Sequence, residues 1–436
     1  VRDENRIESL RSECCVLVRL LTSDQPLEEH PLKELEGLAV TAGCSVVGGM
    51  TQRRSEPDQT TYLGKGKVRE LRELVEEHGA DVVIFDNDLS PAQTRNLEKA
   101  LNTKVIDRTE LILDIFASNA RTHEAKLAIE LAQLEYSLPR LKRMWTHLSR
   151  QTMGVGMRGP GEKQLEVDRR LVEKRIYDLR ADLAKVEARR ERQVRSREGI
   201  PTVSLVGYTN AGKSTLMNAL TGADVEAADK LFATLDTRTR RWHLPSWGWV
   251  LLSDTVGFIR DLPHKLIASF KATLEEARQA DLLLHVADVS SPAVLDQISA
   301  VYEVLTEIGI EEKDTILVLN KVDAAPSEES VRRVLDRYPH AIPISAVTGI
   351  GFDVLHHAVS QALAAEFYDV EVDVAPGDGR LLAYLSAHGE VIEREFGEDR
   401  VRVHVRIPAA AMGEVQRRAL AIRPASDAPD SISHVA

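Results

Sequence analysis

The run PTVSLVGYTNAGKST, residues 201–215, decides how the rest of the chain is read. It begins as an apolar strand, passes through Gly207 and Gly212, and opens a helical pattern, KSTLMNALTG, at Lys213. This is G-x-x-x-x-G-K-[ST] in the strand–loop–helix setting that gives the motif its meaning. Glycines let the backbone from Gly207 through Tyr208, Thr209, Asn210 and Ala211 to Gly212 curl, so that several N–H groups point at one chain of phosphates. The helix that follows adds its positive end. Lys213 then reaches the β and γ phosphates of a nucleotide, the Ser214 hydroxyl ligates Mg2+, and Thr215 extends the binding run. The plain alternative is a glycine turn without a ligand, and motifs further along the chain argue against it.

Downstream, the strand GWVLLSD ends in DTVGFI, residues 254–259. Asp254, at the carboxyl end of that strand, is placed to hold a Mg2+-bound water, and the Gly257 N–H to sense a γ-phosphate. Phe258 stands where many such switches carry a glutamine that orients the attacking water. A phenyl ring cannot do this, so hydrolysis would rest on charge stabilisation by the loop, Lys213 and Mg2+. Slow turnover alone, and stimulation by a partner, are the expectation. Between the two motifs lies DKLFATLDTRTR, residues 229–240, in which a threonine should close over the γ-phosphate and complete the Mg2+ shell. Thr234 and Thr237 both qualify, and Thr234 is preferred. Asn210 admits two readings, a loop brace or a ligand holding K+ beside the phosphates.

NKVD, residues 320–323, follows the strand TILVLN. Asp323 can accept hydrogen bonds from guanine N1–H and the 2-amino group. Adenine offers neither, so a buried Asp323 would be left unpaired and reject it. Asn320 would tie the base loop to the phosphate loop, with Lys321 beside it. Ser345 and Ala346 can offer a backbone N–H to the guanine 6-oxygen. The strands and intervening helices from 199 to 367 give a doubly wound α/β domain that binds GTP or GDP.

The flanks differ. Over residues 1–120, the apolar runs CCVLVRLL, SVVGG, DVVIFD and TKVID alternate with helix-like stretches, which predicts a small parallel α/β domain. Over 121–198, Leu127, Leu131, Leu134, Leu138, Leu141, Trp145 and Leu148 fall at seam spacing, and Val172, Ile176, Leu179, Leu183 and Val186 repeat it. The Gly-rich stretch 154–161 between them makes an antiparallel helical hairpin, with a kink or break expected at Pro139. Residues 368–423 give a small C-terminal α/β domain and 424–436 a disordered tail.

The chain carries a net charge of -12, yet residues 140–197 hold 17 Lys/Arg against 8 Asp/Glu. Such asymmetry points to a polyanion partner, against the alternative of a solvated helix face. Arg158, Lys163, Arg169 and Arg170 are the candidate contacts to such a partner. Lys65 and Lys67 could also meet phosphate, or belong to a glycine turn before a helix. Cys14, Cys15 and Cys44 lack zinc-ligand spacing and are read as reduced thiols. No apolar run is long enough to span a membrane.

LGKGKVREL, RGPGEKQLEVDRRL, GYTNAGKSTL, DKLFATLDTRTR and DTVGFIRDLPHKLIASFKATLEEA together resemble the HflX family of ribosome-associated GTPases. The resemblance implies a cytoplasmic, monomeric GTPase that binds the large ribosomal subunit and its RNA in the GTP state, splits stalled or idle ribosomes, and leaves on hydrolysis. The N-terminal domain and hairpin would touch ribosomal RNA. The rival readings are a ribosome-assembly or RNA-remodelling factor that uses the G domain as a nucleotide sensor, and a membrane or signalling GTPase without RNA.

Overall fold

The computed structural model describes residues 10, 12–23, 30–144, 160–195, 200–222, 231–232, 237–245, 247–260, 276–307, 309–310, 314–397 and 399–425. Within these, the side chains of 141–144, 160–168, 187–195, 365–366 and 410 are not described. The chain divides into two compact units. One comprises Val1–Val186 with Ala228–Asp236 and Asp261–Lys271; the other comprises Glu187–Ala227, Thr237–Arg260 and Ala272–Ala436.

The first unit opens with β1 (Cys14–Thr22), α1 (Lys33–Ala42), β2 (Ser45–Arg54), α2 (Lys65–His78), β3 (Val82–Phe85), α3 (Pro91–Leu101), β4 (Lys104–Asp107) and α4 (Arg108–Asn119). The strands form a parallel sheet in the order β2-β1-β3-β4. Val16, Val18, Leu71, Val83, Phe85 and Leu97 lie in a core between this sheet and α2 and α3. Ser90 caps α3 in a full capping box with Gln93, with Pro91 at the first turn. Helix α4 has no counterpart in the sequence reading. Its segment RTELILDIFASN is apolar on most sides and starts directly at the strand end, where Asp107 both closes β4 and caps the helix through Glu110 N at 3.0 Å.

The carboxyl ends of these strands bury charge in pairs. Arg19 Nε lies 3.2 Å from Asp86 Oδ2 and Arg108 Nη1 lies 2.6 Å from Asp86 Oδ1. Arg108 also pairs with Glu34. Beside them, Asp107 accepts from Tyr136 Oη at 2.6 Å and from Arg140 Nη2 at 2.8 Å. Burial pushes the Asp107 carboxyl above its usual range, and those two donors pull it back.

Helices α5 (His123–Met144) and α6 (Pro160–Arg195) carry the seam. Leu127, Leu131, Ile176 and Leu179 are buried against one another, with Leu134, Leu138, Val172 and Leu183 packed around them. Ion pairs Arg175–Glu130 and Arg180–Glu135 cross between the helices at 2.7 and 2.6 Å. Of the kink or break expected near Leu138, the break does not occur: α5 runs through Pro139. Tertiary contacts hold the turn after the proline, since Arg140 reaches Leu89 O at 3.1 Å as well as Asp107. Trp145, Leu148 and the stretch 145–159 lie outside the described residues.

The second unit contains β5 (Thr202–Gly207), α7 (Lys213–Thr221), β6 (Arg238–Leu244), β7 (Gly248–Asp254), β8 (Leu282–Asp288), α8 (Val294–Glu307), β9 (Thr315–Asn320), α9 (Glu328–Arg337), β10 (Ile342–Pro343) and α10 (Phe352–Glu366). The sheet order is β10-β9-β8-β5-β7-β6. All neighbours are parallel except the edge strand β6, which returns antiparallel to β7. Its sequence, RTRRWHL, is charged in the way edge strands are, which hid it from a search for apolar runs. The chain then continues as β11 (Phe367–Val374), α11 (Gly379–His388), β12 (Glu390–Phe396), β13 (Val401–Pro408), α12 (Met412–Arg418) and β14 (Ala421–Pro424). These strands make an antiparallel sheet, β12-β13-β11-β14, whose last short strand the sequence reading also missed. Arg406 of that sheet stacks its guanidinium 4.3 Å from the Trp247 ring centroid, at the turn joining β6 to β7.

Candidate nucleotide site

β5, β7, β8 and β9 deliver their carboxyl ends to one edge of the sheet, the place where doubly wound folds bind ligands. Gly207 ends β5 with φ +149°, and a Cβ there would lie 2.2 Å from Val286 O. Gly212 has φ +89°, and its Cβ would lie 2.3 Å from Asn320 Nδ2. Both positions exclude a side chain, so the loop follows a path that only glycine permits. Asn210 is exposed in a left-handed turn of φ +59°.

Lys213 opens α7 and is buried. Its ammonium donates to Gly207 O at 3.0 Å and to Tyr208 O at 2.9 Å. Burial pushes its pKa down to about 8, while the Asp254 carboxylate works in the opposite direction. The Ser214 hydroxyl donates to Asp254 Oδ2 at 2.6 Å. Asp254 is fully buried at the end of β7. A hydroxyl and a carboxylate meeting here form a hard-oxygen donor pair, the set that suits Mg2+ shared with phosphate oxygens. Thr215 follows in the same helix turn.

The switch segment after β7 lies against the phosphate loop. Phe258 N donates to Gly207 O at 3.0 Å, and Thr209 N donates to Phe258 O at 2.6 Å. The Tyr208 hydroxyl accepts from Arg260 N at 2.8 Å. A Cβ on Gly257 would lie 2.7 Å from Thr209 Cα and 3.1 Å from Lys213 Nζ. The Phe258 side chain is buried, and a phenyl ring carries no group that could orient a water. Thr234 lies outside the described residues; Thr237 is half-buried immediately before β6. Leu231 and Phe232, just ahead of Thr234, were not singled out by sequence. Within the first unit, Phe232 is buried edge-on to Phe116 at 4.6 Å, and its carbonyl accepts from Asn119 Nδ2 at 3.1 Å.

At the base end, Asn320 joins two loops. Its Nδ2 donates to Ala211 O at 2.9 Å and its Oδ1 accepts from Ala346 N at 3.0 Å. Ser345 is buried, with its amide on Ile350 O at 3.0 Å and its hydroxyl accepting from Thr348 N at 3.1 Å. A guanine 6-oxygen at this loop would therefore share the Ala346 amide with Asn320. Asp323 differs from expectation in being exposed, on the turn Val322–Ala324. The rejection of adenine through a buried, unpaired carboxylate thus needs the base itself to cover Asp323. Lys321 has φ +66° and pairs with Asp288 Oδ2 at 2.7 Å.

Four family models match the chain in order. They are GTP-binding GTPase N-terminal over residues 29–117, GTP-binding GTPase Middle Region over 119–197, 50S ribosome-binding GTPase over 202–321, and HflX C-terminal domain over 331–430. GTPase HflX of Escherichia coli K12 is 48% identical over 402 residues, covering 91% of this chain and 94% of its own. The chain belongs to the HflX family of GTPases. It binds guanine nucleotides and hydrolyses GTP as members of that family do. GTPase HflX of Chlamydia pneumoniae is 44% identical, covering 89% of this chain and 83% of its own. The crystal structure of a GTP-binding protein from Sulfolobus solfataricus in complex with GDP aligns with 80% of this chain and 99% of its own, at 24% identity and a TM-score of 0.43.

Away from the nucleotide site, Arg169 is exposed on α6 and pairs with Glu173 at 2.7 Å, and Arg170 beside it is exposed. Arg158 and the Lys163 side chain lie outside the described residues. Lys65 begins α2 after Gly64, whose amide donates to Gln52 Oε1 at 3.0 Å, and Lys67 pairs with Glu70. That geometry is a glycine turn leading into a helix. Among the described residues no helix is long and apolar enough to cross a membrane.

Proposed function

We propose that this HflX-family GTPase grips the large ribosomal subunit in its GTP state, splits stalled or idle ribosomes in the cytoplasm, and is released by hydrolysis. The observation that carries this reading is the pairing of a basic helical hairpin with a GTPase domain that matches the 50S ribosome-binding GTPase model. Residues 140–197 concentrate positive charge in an otherwise acidic chain, and ribosomal RNA is a polyanion that attracts such an element by releasing counterions. Arg158, Lys163, Arg169 and Arg170 are the proposed phosphate contacts.

Within the site, Lys213 and the loop amides would hold the phosphates, and Ser214 and Thr234 would hold Mg2+, with Asp254 acting on it through a bound water. When bound, that ion neutralises charge building up between the β and γ phosphates. Gly257 N senses the γ-phosphate, and Asp323 with Ser345 and Ala346 reads guanine. Because a phenyl ring at Phe258 cannot orient water, the protein alone turns over slowly, and the ribosome supplies the missing order. K+ beside Asn210 belongs to the same reading, and equal GTPase rates in KCl and NaCl would remove it.

Cosedimentation with each subunit and with intact ribosomes tests the core. The large subunit should retain the protein with a non-hydrolysable GTP analogue and release it with GDP, and the analogue should suffice to split intact ribosomes. Retention without splitting would favour an assembly or RNA-remodelling factor. Retention independent of nucleotide would end the proposal.

A further inference from the structure

We propose that Asp107 is a positioning residue for the helical arm: it clamps α5 on both sides of Pro139 and so aims the basic half of the hairpin at its polyanion. The inference rests on the reading that this hairpin grips ribosomal RNA. A proline inside a helix removes one rung of the backbone ladder and crowds the carbonyl four residues back, which leaves a soft joint. Pro139 places that joint within α5, and the basic stretch 140–197 begins with the next residue. The seam with α6 grips the near side of the joint. Among the described residues, its buried α5 positions, Leu127 and Leu131, precede the proline, and so do Glu130 and Glu135 of the crossing ion pairs. What holds the chain across Pro139 therefore sets the direction in which the charge leaves the N-terminal domain.

The clamp is built around one carboxylate. Asp107 ends β4 and is buried. Its Oδ1 accepts from Tyr136 Oη at 2.6 Å, before the proline, and from Glu110 N at 3.0 Å. Its Oδ2 accepts from Arg140 Nη2 at 2.8 Å, after the proline, and from Leu89 N at 3.2 Å. The Arg140 guanidinium also lies 3.4 Å from the centre of the Tyr136 ring, and its Nη1 donates to Tyr136 O at 3.2 Å. In a regular helix that carbonyl is the acceptor for the Arg140 amide, so the side chain braces the rung next to the missing one. Nη2 reaches Leu89 O as well, at 3.1 Å. Hydrogen bonds to an ionised carboxylate are roughly twice as strong as neutral ones. One on each side of a proline fixes an angle that the broken ladder leaves free.

The test separates aim from grip, on the full chain. Arg140→Met keeps an apolar stem and removes the clamp beyond the proline, and Tyr136→Phe removes it on the near side. GDP affinity and the GTPase rate without ribosomes should stay at wild-type values in both. Binding to the large subunit with a non-hydrolysable GTP analogue should weaken about tenfold for Arg140→Met, as loss of one charge-assisted hydrogen bond does, and by less for Tyr136→Phe. Pro139→Ala restores the ladder and should return the Arg140→Met variant to near wild-type binding; a loss through charge alone would not be rescued. The direct readout is the distance between nitroxide labels on Glu77→Cys in α2 and Gln164→Cys in α6, with Cys14→Ser removing the half-buried native thiol. The distribution should be narrow with the clamp intact, broaden in Arg140→Met, and narrow again when Pro139→Ala is added. Asp107→Asn, which keeps a capping side chain on α4, should broaden it too and serves where Arg140→Met fails to fold. An unchanged distribution, a binding loss that Pro139→Ala does not restore, or broadening without any loss of binding would each overturn the proposal. If the wild type itself is not retained on the large subunit, the RNA-gripping reading is wrong, while the label distances still decide whether the clamp exists.

Discussion

In the N-terminal sheet the guanidiniums of Arg19 and Arg108 meet the carboxylates of Asp86 and Glu34 at the strand ends. In the G-domain sheet Lys213 is buried at the equivalent edge, yet its ammonium donates to the neutral carbonyls of Gly207 and Tyr208. Both sheets are doubly wound, and both place charge where such folds place ligands. The first site closes on itself: each buried charge has its opposite within the domain. The second seats a cation on carbonyl dipoles, with the Asp254 charge too weak to offset burial, so its pKa is depressed and it keeps an affinity for an anion that arrives from outside. A parallel sheet alone therefore does not mark a binding site; the way its edge charges are paired does.

The comparison is broken most severely at Asp86. Asp86→Ala removes the carboxylate that two buried guanidiniums share and should cost about 3–5 kcal/mol, seen in urea unfolding of the first unit, with GDP affinity unchanged. Lys213→Ala should give the reverse pattern, lowering kcat/KM for GTP by about 10²–10³-fold in steady-state kinetics.

Acid should separate the sheets next. His285, buried on β8 with its ring 5.0 Å from Tyr302, is pushed down to about 3 by burial and then by the Lys213 charge. The unfolded chain takes up a proton near the ordinary value of 6.5 and the folded chain does not, so stability falls as pH drops between these values. The slope is about 1.4 kcal/mol per pH unit, and His285→Phe should flatten it in unfolding measured across that range.

The smallest effect sharpens the point about Lys213. In the free protein its ammonium loses a proton as pH rises through about 8, whereas phosphate favours the charged form. GDP affinity should fall above that pH by up to about tenfold per unit, measured by titration calorimetry. Over the same alkaline window, up to the ordinary 10.5, the unfolded chain holds the extra proton and the free protein gains stability.

The local signals in the chain were sufficient wherever structure is set locally. The run from Thr202 to Lys213 carries its strand, its glycines and its helix within a few residues, and the leucine seam of α5 and α6 declares its period. Helix α4 was hidden because it is apolar nearly all round, β6 because an edge strand tolerates arginines, and β14 because its four residues, AIRP, hold no buried apolar run. At Pro139 no break occurs because propensity is a local argument, and Arg140 on the same helix is held by Leu89 and Asp107 from far away in sequence. In the site, the motif residues were legible by spacing. His285 and the pair Leu231–Phe232 were not, since their roles arise from neighbours far away in sequence.

Gly207 has a consequence for anyone who mutates this loop. The Val286 carbonyl of the neighbouring strand stands where its side chain would begin, in a contact that no nucleotide takes part in. An inactive Gly207 variant would thus be a damaged sheet mistaken for a damaged pocket. Its inability to bind would say nothing about phosphate, and it is a poor choice as the catalytically dead control.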